Sequence, residues 1–186
     1  MTKRLFLAIN LPSDIKRKLA ELILKLQKNN KNKPIKWVAD ENLHLTLHFL
    51  GDTPEEKIPD INQALEPIIT NFKTLYFQLS DSINAFPNLN DPQVIFLEMK
   101  ELNDGQTVKL QKQIGESLAR LGFAIDSRPF RLHLTLGRVK FKISLTIPDL
   151  RLQITEFQIN SIDLMESNLT PAGPVYKIIQ KYFLAV

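Results

Sequence analysis

Seven residues, Leu43-His44-Leu45-Thr46-Leu47-His48-Phe49, alternate between apolar and polar side chains, and the pattern returns in Leu132-His133-Leu134-Thr135-Leu136, followed by Gly137. Successive side chains of an extended strand point to opposite faces, so each segment sorts into a leucine face and a histidine–threonine face. Two strands buried on their leucine sides would each present a His and a Thr, one pleat repeat apart, on the other side. Packing makes repeated leucines cheap, but it does not demand a His and a Thr at matching places. The chain holds only three histidines, and two of them fall in these matching places. His44, Thr46, His133 and Thr135 are therefore the candidate functional residues, and the remainder is the scaffold that brings the two strands face to face.

Around these segments, strands and helices alternate. Arg4 to Asn10 reads as a strand ended by Pro12. Ser13 is a fitting N-cap for a helix carrying Ile15, Leu19, Leu22, Ile23 and Leu26, which Pro34 forbids from continuing. Ile35 to Val38 is a short strand, and Asp40 to Asn42 a turn into the first motif, which Gly51 closes. Thr53-Pro54-Glu55-Glu56 fits a capping box ahead of a helix through Ile58, Ile61, Leu65, Ile68 and Ile69, with Pro59 as the alternative start. Phe72 to Leu79 reads as a strand, Ser82 to Pro92 as a loop, and Gln93 to Met99 as a strand. Val108, Leu110, Ile114, Leu118 and Leu121 mark a helix before the second motif strand, Arg131 to Val139. The segments Lys142 to Ile147, Leu150 to Leu164 and Val175 to Leu184 read as antiparallel strands, with a turn at Thr170 to Pro174.

The order repeats. His44 and His133 are 89 positions apart (133 − 44), and the same offset carries Leu5-Phe6-Leu7-Ala8 onto Val94-Ile95-Phe96-Leu97 and the first helix onto Leu102 to Leu118. Residue identities outside the motif barely match, so this is a structural echo rather than a repeat array. An internal duplication of that kind relates the motif strands by a pseudo-twofold axis, which is how distant histidines come to flank one pocket.

Composition narrows the chemistry. At 186 residues the chain suits one globular unit or two small lobes sharing a core. The lack of cysteine excludes disulfides, thiolate catalysis and Cys-based zinc sites. The apolar run Leu5 to Ile9 is too short for a signal-peptide core, and nothing approaches the ~20 apolar residues of a membrane span. A cytoplasmic protein is the expectation. The net charge of +4 favours an anionic partner. Lys28, Lys31, Lys33 and Lys36 form either a solvated loop or a basic rim that steers a polyanion.

Imidazole has an ordinary pKa near ~6.5, so at neutral pH one His can act as a base while another, beside an anionic phosphate, acts as an acid. Two such groups on opposite sides of a phosphodiester support an in-line displacement without metal, each contributing ~10²–10⁴-fold in rate. A Thr hydroxyl pointing the same way can donate to a non-bridging oxygen.

The two His-x-Thr-x motifs, His44 to Leu47 and His133 to Leu136, resemble the signature of the 2H phosphoesterases. More closely they are similar to the RNA 2′,3′-cyclic phosphodiesterases, also called 2′-5′ RNA ligase-like proteins. Arg4 to Ile9, Lys36-Trp37-Val38, Phe49-Leu50-Gly51, Arg128-Pro129-Phe130 and Gly173-Pro174-Val175-Tyr176 extend the likeness over nearly the whole chain. The resemblance implies a single bilobal α+β domain over 1–186, with two pseudo-symmetric lobes whose antiparallel sheets line a central cleft and helices outside. It also implies hydrolysis of RNA 2′,3′-cyclic phosphate ends, or of cyclic nucleotides, to 2′-phosphomonoesters by a monomer with no metal or other cofactor. By analogy His44 is the proton donor, His133 the proton acceptor, Thr46 and Thr135 hold the phosphate, and Arg138 supplies positive charge.

Strand parity complicates part of that assignment. Arg138 lies on the leucine side unless Gly137 introduces a bulge, whereas Arg131 shares the parity of His133. His48 shares a face with His44 and is a candidate for phosphate or RNA contact, and Phe49 and Trp37 are candidates for stacking on bases. Two other functions compete. A metal-dependent phosphodiesterase would need His44, His48 and His133 on one ion, yet residues four apart on a strand stand ~13 Å apart. A non-catalytic RNA-binding module would use the lysine loop and the aromatic residues. Ligation, or cleavage of 2′,5′-linked oligonucleotides, would use the same two histidines.

Overall fold

The strand–helix–strand order becomes two antiparallel sheets. The computed structural model describes residues 1–148, 155–171 and 173–185. Its elements are β1 (Thr2–Asn10), α1 (Ser13–Asn29), β2 (Ile35–Trp37), β3 (His44–Pro54), α2 (Ile58–Ile69), β4 (Leu75–Phe86), β5 (Val94–Glu101), α3 (Gln106–Arg120), β6 (His133–Val139), β7 (Glu156–Ile159), β8 (Ser161–Thr170) and β9 (Gly173–Phe183). One sheet has the order β3-β1-β8-β9 and the other β2-β6-β5-β4-β7. Each motif strand pairs with the strand that opens its own half of the repeat, β3 with β1 and β6 with β5. The α+β fold with antiparallel sheets is as expected.

Burial of the leucine faces sets this arrangement. Leu43, Leu45, Leu47, Leu134 and Leu136 lie in one core with Leu5, Leu7 and Ile9 of β1 and Ile95 and Leu97 of β5. Each such side chain contributes roughly 1.5–3 kcal/mol on burial. That exceeds the ~1 kcal/mol span of strand propensity, so register follows burial. The helical stripes Ile15, Leu19, Leu22, Ile23 and Leu26 of α1 and Leu110, Ile114 and Leu118 of α3 complete the core. The helices cross over: α3 leads into β6 of the second sheet but packs on β3 of the first, and α2 lies on α3 and β9.

A bulge interrupts each motif strand at the same place in the repeat. Pairing passes from Ala8↔Thr46 to Leu7↔His48, which skips Leu47, and from Phe96↔Thr135 to Ile95↔Gly137, which skips Leu136. A bulge sets two residues opposite one and reverses side-chain parity beyond it. Leu47 and His48 are accordingly both buried, as are Leu136 and Gly137, while Phe49 and Arg138 turn to the histidine–threonine face. The expected face of His48 is thereby corrected. It is 5% exposed and packs on α3, where its Nε2–H donates to the Gln111 carbonyl at 2.7 Å. Room for the ring comes from a glycine: a Cβ on Gly115 would stand 2.9 Å from His48 Cε1.

Other local expectations shift for identifiable reasons. Ser13 makes no capping bond, and α1 starts from Pro12, whose carbonyl accepts from Lys16 N–H. β3 runs past Gly51 (φ +71°) to Pro54, and Thr53 Oγ1 donates back to the Gly51 carbonyl instead of forming a capping box. α2 then opens at Ile58 with Pro59 in its first turn. The segment from Ser82, expected as a loop, is strand as far as Phe86. Ile83 to Phe86 pair with Leu97 to Val94 after an irregularity that skips Ser80 to Ser82. Lys142 to Ile147 forms no strand: Lys33 Nζ donates to the Ser144 carbonyl, and the Asn30 amide exchanges two bonds with Thr146 N–H and C=O. Of the segment expected at Leu150 to Leu164, residues 150–154 lie outside the described residues, and the rest divides into β7 and β8 around Asn160.

Gly115→Ala sets two effects against each other. Alanine gains ~1 kcal/mol of helix propensity, whereas a Cβ against the His48 ring incurs overpacking of ~1–3 kcal/mol. Urea unfolding should show net destabilisation in the native background and net stabilisation beside His48→Ala.

Candidate active site

The two sheets meet along β3 and β6. Between them lies a cavity of about 150 Å³, lined among others by His44, Thr46 and Phe49 of β3, Thr135 and Arg138 of β6, and Tyr176 of β9. Pockets that bury a drug-sized ligand run ~300–1,000 Å³. This one has room for a phosphate group, with the rest of a nucleotide left at its mouth. His133 is not part of the cavity wall; it stands one pleat repeat before Thr135 on the same face of β6.

Both histidines are held in the same manner. His44 Nδ1–H donates to the Asn42 carbonyl at 2.7 Å, and His133 Nδ1–H to the Arg131 carbonyl at 2.7 Å. A carbonyl can only accept, so each neutral ring carries its proton on Nδ1 and leaves the Nε2 lone pair for chemistry. On His44 that nitrogen meets Thr46 Oγ1 at 2.9 Å. Asn42 is itself anchored through its side-chain amide to the Pro174 carbonyl.

Two aromatic rings flank each imidazole. Phe6 and Tyr176 stand 5.1 and 5.3 Å from His44 by ring centroids, and Phe86 and Phe96 stand 5.2 and 5.4 Å from His133. The flanking rings also contact each other, at 5.0 Å in the first set and 4.3 Å in the second. These contacts, edge-to-face for Tyr176 on His44 and for both phenylalanines on His133, fix ring planes while adding apolar surface.

That surface has an electrostatic consequence. Burial lowers the pKa of His44, and the positive fields of Lys16, Arg138 and His133 lower it further, against the raising effect of the Asn42 carbonyl. His133 is likewise lowered, first by burial and then by Arg138 and Arg131, against the Arg131 carbonyl. Both shifts favour the neutral imidazole, within a field made positive by arginine. An anion entering there gains from the arginine and restores the proton affinity of the imidazoles.

The bulge turns Arg138 to the cavity, which it lines together with Thr46 and Thr135. Arg131 precedes β6 and holds its guanidinium 5.8 Å from the Phe86 ring centre, beside His133. Phe49 is exposed at the cavity edge, as a stacking residue would be. Trp37 is not so placed. It pairs with Gly137 across β2 and β6 and packs its ring against that glycine on the core side. The lysine cluster also divides, because Lys33 is bound to Ser144 and Thr146, whereas Lys36 pairs with Arg138 and reaches toward Gly173.

Phe6, Tyr176, Phe86, Phe96 and Asn42 escaped the site expected from sequence. Phe6 and Phe96 looked like core positions, and Phe86 fell in a presumed loop. Phe6, Asn42 and Tyr176 lie in runs that carry the family resemblance, but nothing in those runs gave them a place beside His44. With His48 directed at α3, the three histidines do not converge on one ion, and among the described residues no three His, Asp or Glu side chains cluster as metal ligands.

Known proteins share both sequence and architecture with this chain. A protein of Methanocaldococcus jannaschii named RNA 2′,3′-cyclic phosphodiesterase is 38% identical over 188 residues, covering 96% of this chain and 99% of that protein. One of the same name from Archaeoglobus fulgidus is 33% identical over 183 residues, covering 96% and 99%. The crystal structure of E. coli LigT complexed with 3′-AMP superposes with a TM-score of 0.82 at 26% identity, covering all of both chains. The family described as LigT like Phosphoesterase matches residues 9–96 and 101–176. Both motif strands fall within those ranges, and the chain belongs to the LigT-like phosphoesterase family.

Proposed function

We propose that this protein hydrolyses 2′,3′-cyclic phosphate ends of RNA to 2′-phosphomonoesters, with His44 as general acid and His133 as general base. The observation that carries this is the pair of imidazoles, each with Nδ1 tied to a carbonyl so that Nε2 is the nitrogen left for proton transfer (on His44 it meets the Thr46 hydroxyl), on two strands whose threonines share one phosphate-sized cavity. The names of the relatives support the substrate class.

In this mechanism the cyclic phosphate monoanion enters beside Arg138. His44, protonated in the presence of the anion, no longer accepts from Thr46, whose hydroxyl is freed to donate to a non-bridging oxygen; Thr135 does the same from the other strand. His133 Nε2 takes a proton from water as its oxygen bonds to phosphorus. The P–O3′ bond breaks in line, and O3′ takes the proton from His44 Nε2. Water has been added, the 2′ phosphate ester remains, and solvent exchange resets the two rings. Only the Thr46 hydroxyl has to change partner, from His44 Nε2 to the phosphate oxygen. All of these groups come from one chain, so a monomer suffices. No described helix is long and apolar enough to cross a membrane, and we place the activity in the cytoplasm, where RNA ends arise.

His44→Ala and His133→Ala should each lower kcat on a 2′,3′-cyclic nucleotide by ~10²–10⁴-fold with far-UV circular dichroism unchanged. Turnover should persist in EDTA, and phosphorus NMR should show the 2′-monoester alone. Loss of activity in EDTA, or a 3′-monoester product, would sink the mechanism.

The pH dependence follows from the direction of the shifts. One ring must be charged and one neutral in the free enzyme, and both pKa values are lowered from 6.5, so kcat/KM should be bell-shaped with its maximum below pH 6.5. Bound anion stabilises the imidazolium, so the alkaline limb of kcat should lie at higher pH than that of kcat/KM. A kcat/KM that climbs steadily to pH 8 contradicts the paired roles.

A further inference from the structure

The two bulges share a second feature, which the relation between the halves does not require. At each one a flat ring presses on a glycine. In β6 the glycine is on the motif strand: a Cβ on Gly137 would stand 3.0 Å from Trp37 Cε3 and 3.1 Å from Ile35 Cγ2. In β3 the ring is on the motif strand: His48 takes the corresponding place (137 − 48 = 89) and presses on Gly115 of α3. Ring and glycine have changed sides, but the contact is the same and falls at the same residue of the bulge.

We propose that these ring-on-glycine contacts are positioning devices for the reaction, with Trp37–Gly137 holding Arg138, and His48–Gly115 holding Phe49, in the cavity. The physical ground is parity. An extra residue in a strand is retained only where the residues beside it find better burial than the regular ladder would give. Gly137 is buried under Trp37, and His48 under α3 with its Nε2–H satisfied by the Gln111 carbonyl. Were either bulge to relax into regular pairing, the next side chain would swing to the opposite face. For β6 that side chain is Arg138, which lines the cavity with Thr46 and Thr135. Trp37 and Gly137 thus act through Arg138 and touch no substrate.

The proposal rests on the hydrolytic reading for its kinetic readout, and a double-mutant comparison separates the two. Gly137→Ala should lower kcat/KM on 2′,3′-cyclic AMP about tenfold, mainly through KM, because a catalytic group displaced by a fraction of an ångström is ill placed. In an Arg138→Ala background the same change should cost less than twofold, since residues acting as a unit are not additive. Trp37→Leu removes volume where Ala adds it, so Gly137→Ala with Trp37→Leu should recover most of the lost kcat/KM. An equal loss in both backgrounds, or no loss in either, overturns the proposal. If Gly137→Ala does not fold, Trp37→Leu alone, which loosens the seat from the other side, is compared in the same two backgrounds. If the native protein turns over no cyclic nucleotide, the hydrolytic reading falls, and inorganic phosphate binding by NMR tests the positioning claim alone. Gly137→Ala should then weaken phosphate about tenfold only while Arg138 is present, and equal weakening with and without Arg138 refutes it.

Discussion

Burial of one face of two strands decides where the chemistry can be. Leu45 and Leu134 are wholly inside the shared core, and a strand that buries them must turn His44, Thr46, His133 and Thr135 the other way. With β3 at the edge of one sheet and β6 beside the short β2 in the other, the outward faces of both motif strands look into the same gap. Neither half can present both imidazoles, and the site exists only because the two leucine faces are satisfied by a common core.

The same burial sets the electrostatic state. Aromatic rings around His44 and His133 remove water from both, and the nearby arginines add positive field, so the unliganded imidazoles are poor proton carriers. A phosphate anion would offset the positive field, though not the loss of water. In the mechanism we propose it pairs with Arg138, draws a proton onto an imidazole and releases the Thr46 hydroxyl, which donates to His44 Nε2 in its absence. On that reading binding and activation are one electrostatic event.

Much of this could be seen in the residues. Strict alternation located both motif strands and their leucine faces, and the offset of 89 anticipated that strand, helix and motif strand recur in the same order. What alternation cannot show is where it stops. Nothing in Leu47-His48 announces a bulge, because a His reads as polar and outward until the glycine beneath it, 67 residues later (115 − 48), is seen in place. The error at His48 and the doubt over Arg138 thus have one cause, a single skipped residue. Trp37 was misplaced because the partner beneath it, Gly137, offers no side chain to read. Phe86 falls in the expected loop Ser82 to Pro92 because Pro87, Asn88, Asn90 and Pro92 punctuate that stretch, whereas pairing with Val94 and the burial of Ile83 and Ala85 keep the strand going.

The two halves differ in what recurs at the offset of 89 and what does not. Backbone events recur at matched positions, a bulge at Leu47 and Leu136 and a carbonyl two residues upstream of each imidazole, and a pair of aromatic rings flanks each. Residue identities recur in the motif itself, in its His, Thr and Leu positions. The flanking rings do not recur by position, since the offset of 89 carries Phe6 onto Ile95 and not Phe96, and the ring and glycine at the bulge trade strands. The residues that differ also mark where the halves diverge in work, because Phe49 and Arg138 occupy equivalent places, one offering an apolar face and the other a cation. A symmetric scaffold thereby yields an asymmetric cavity, suited to a substrate with a base on one side and a charged phosphorus centre on the other.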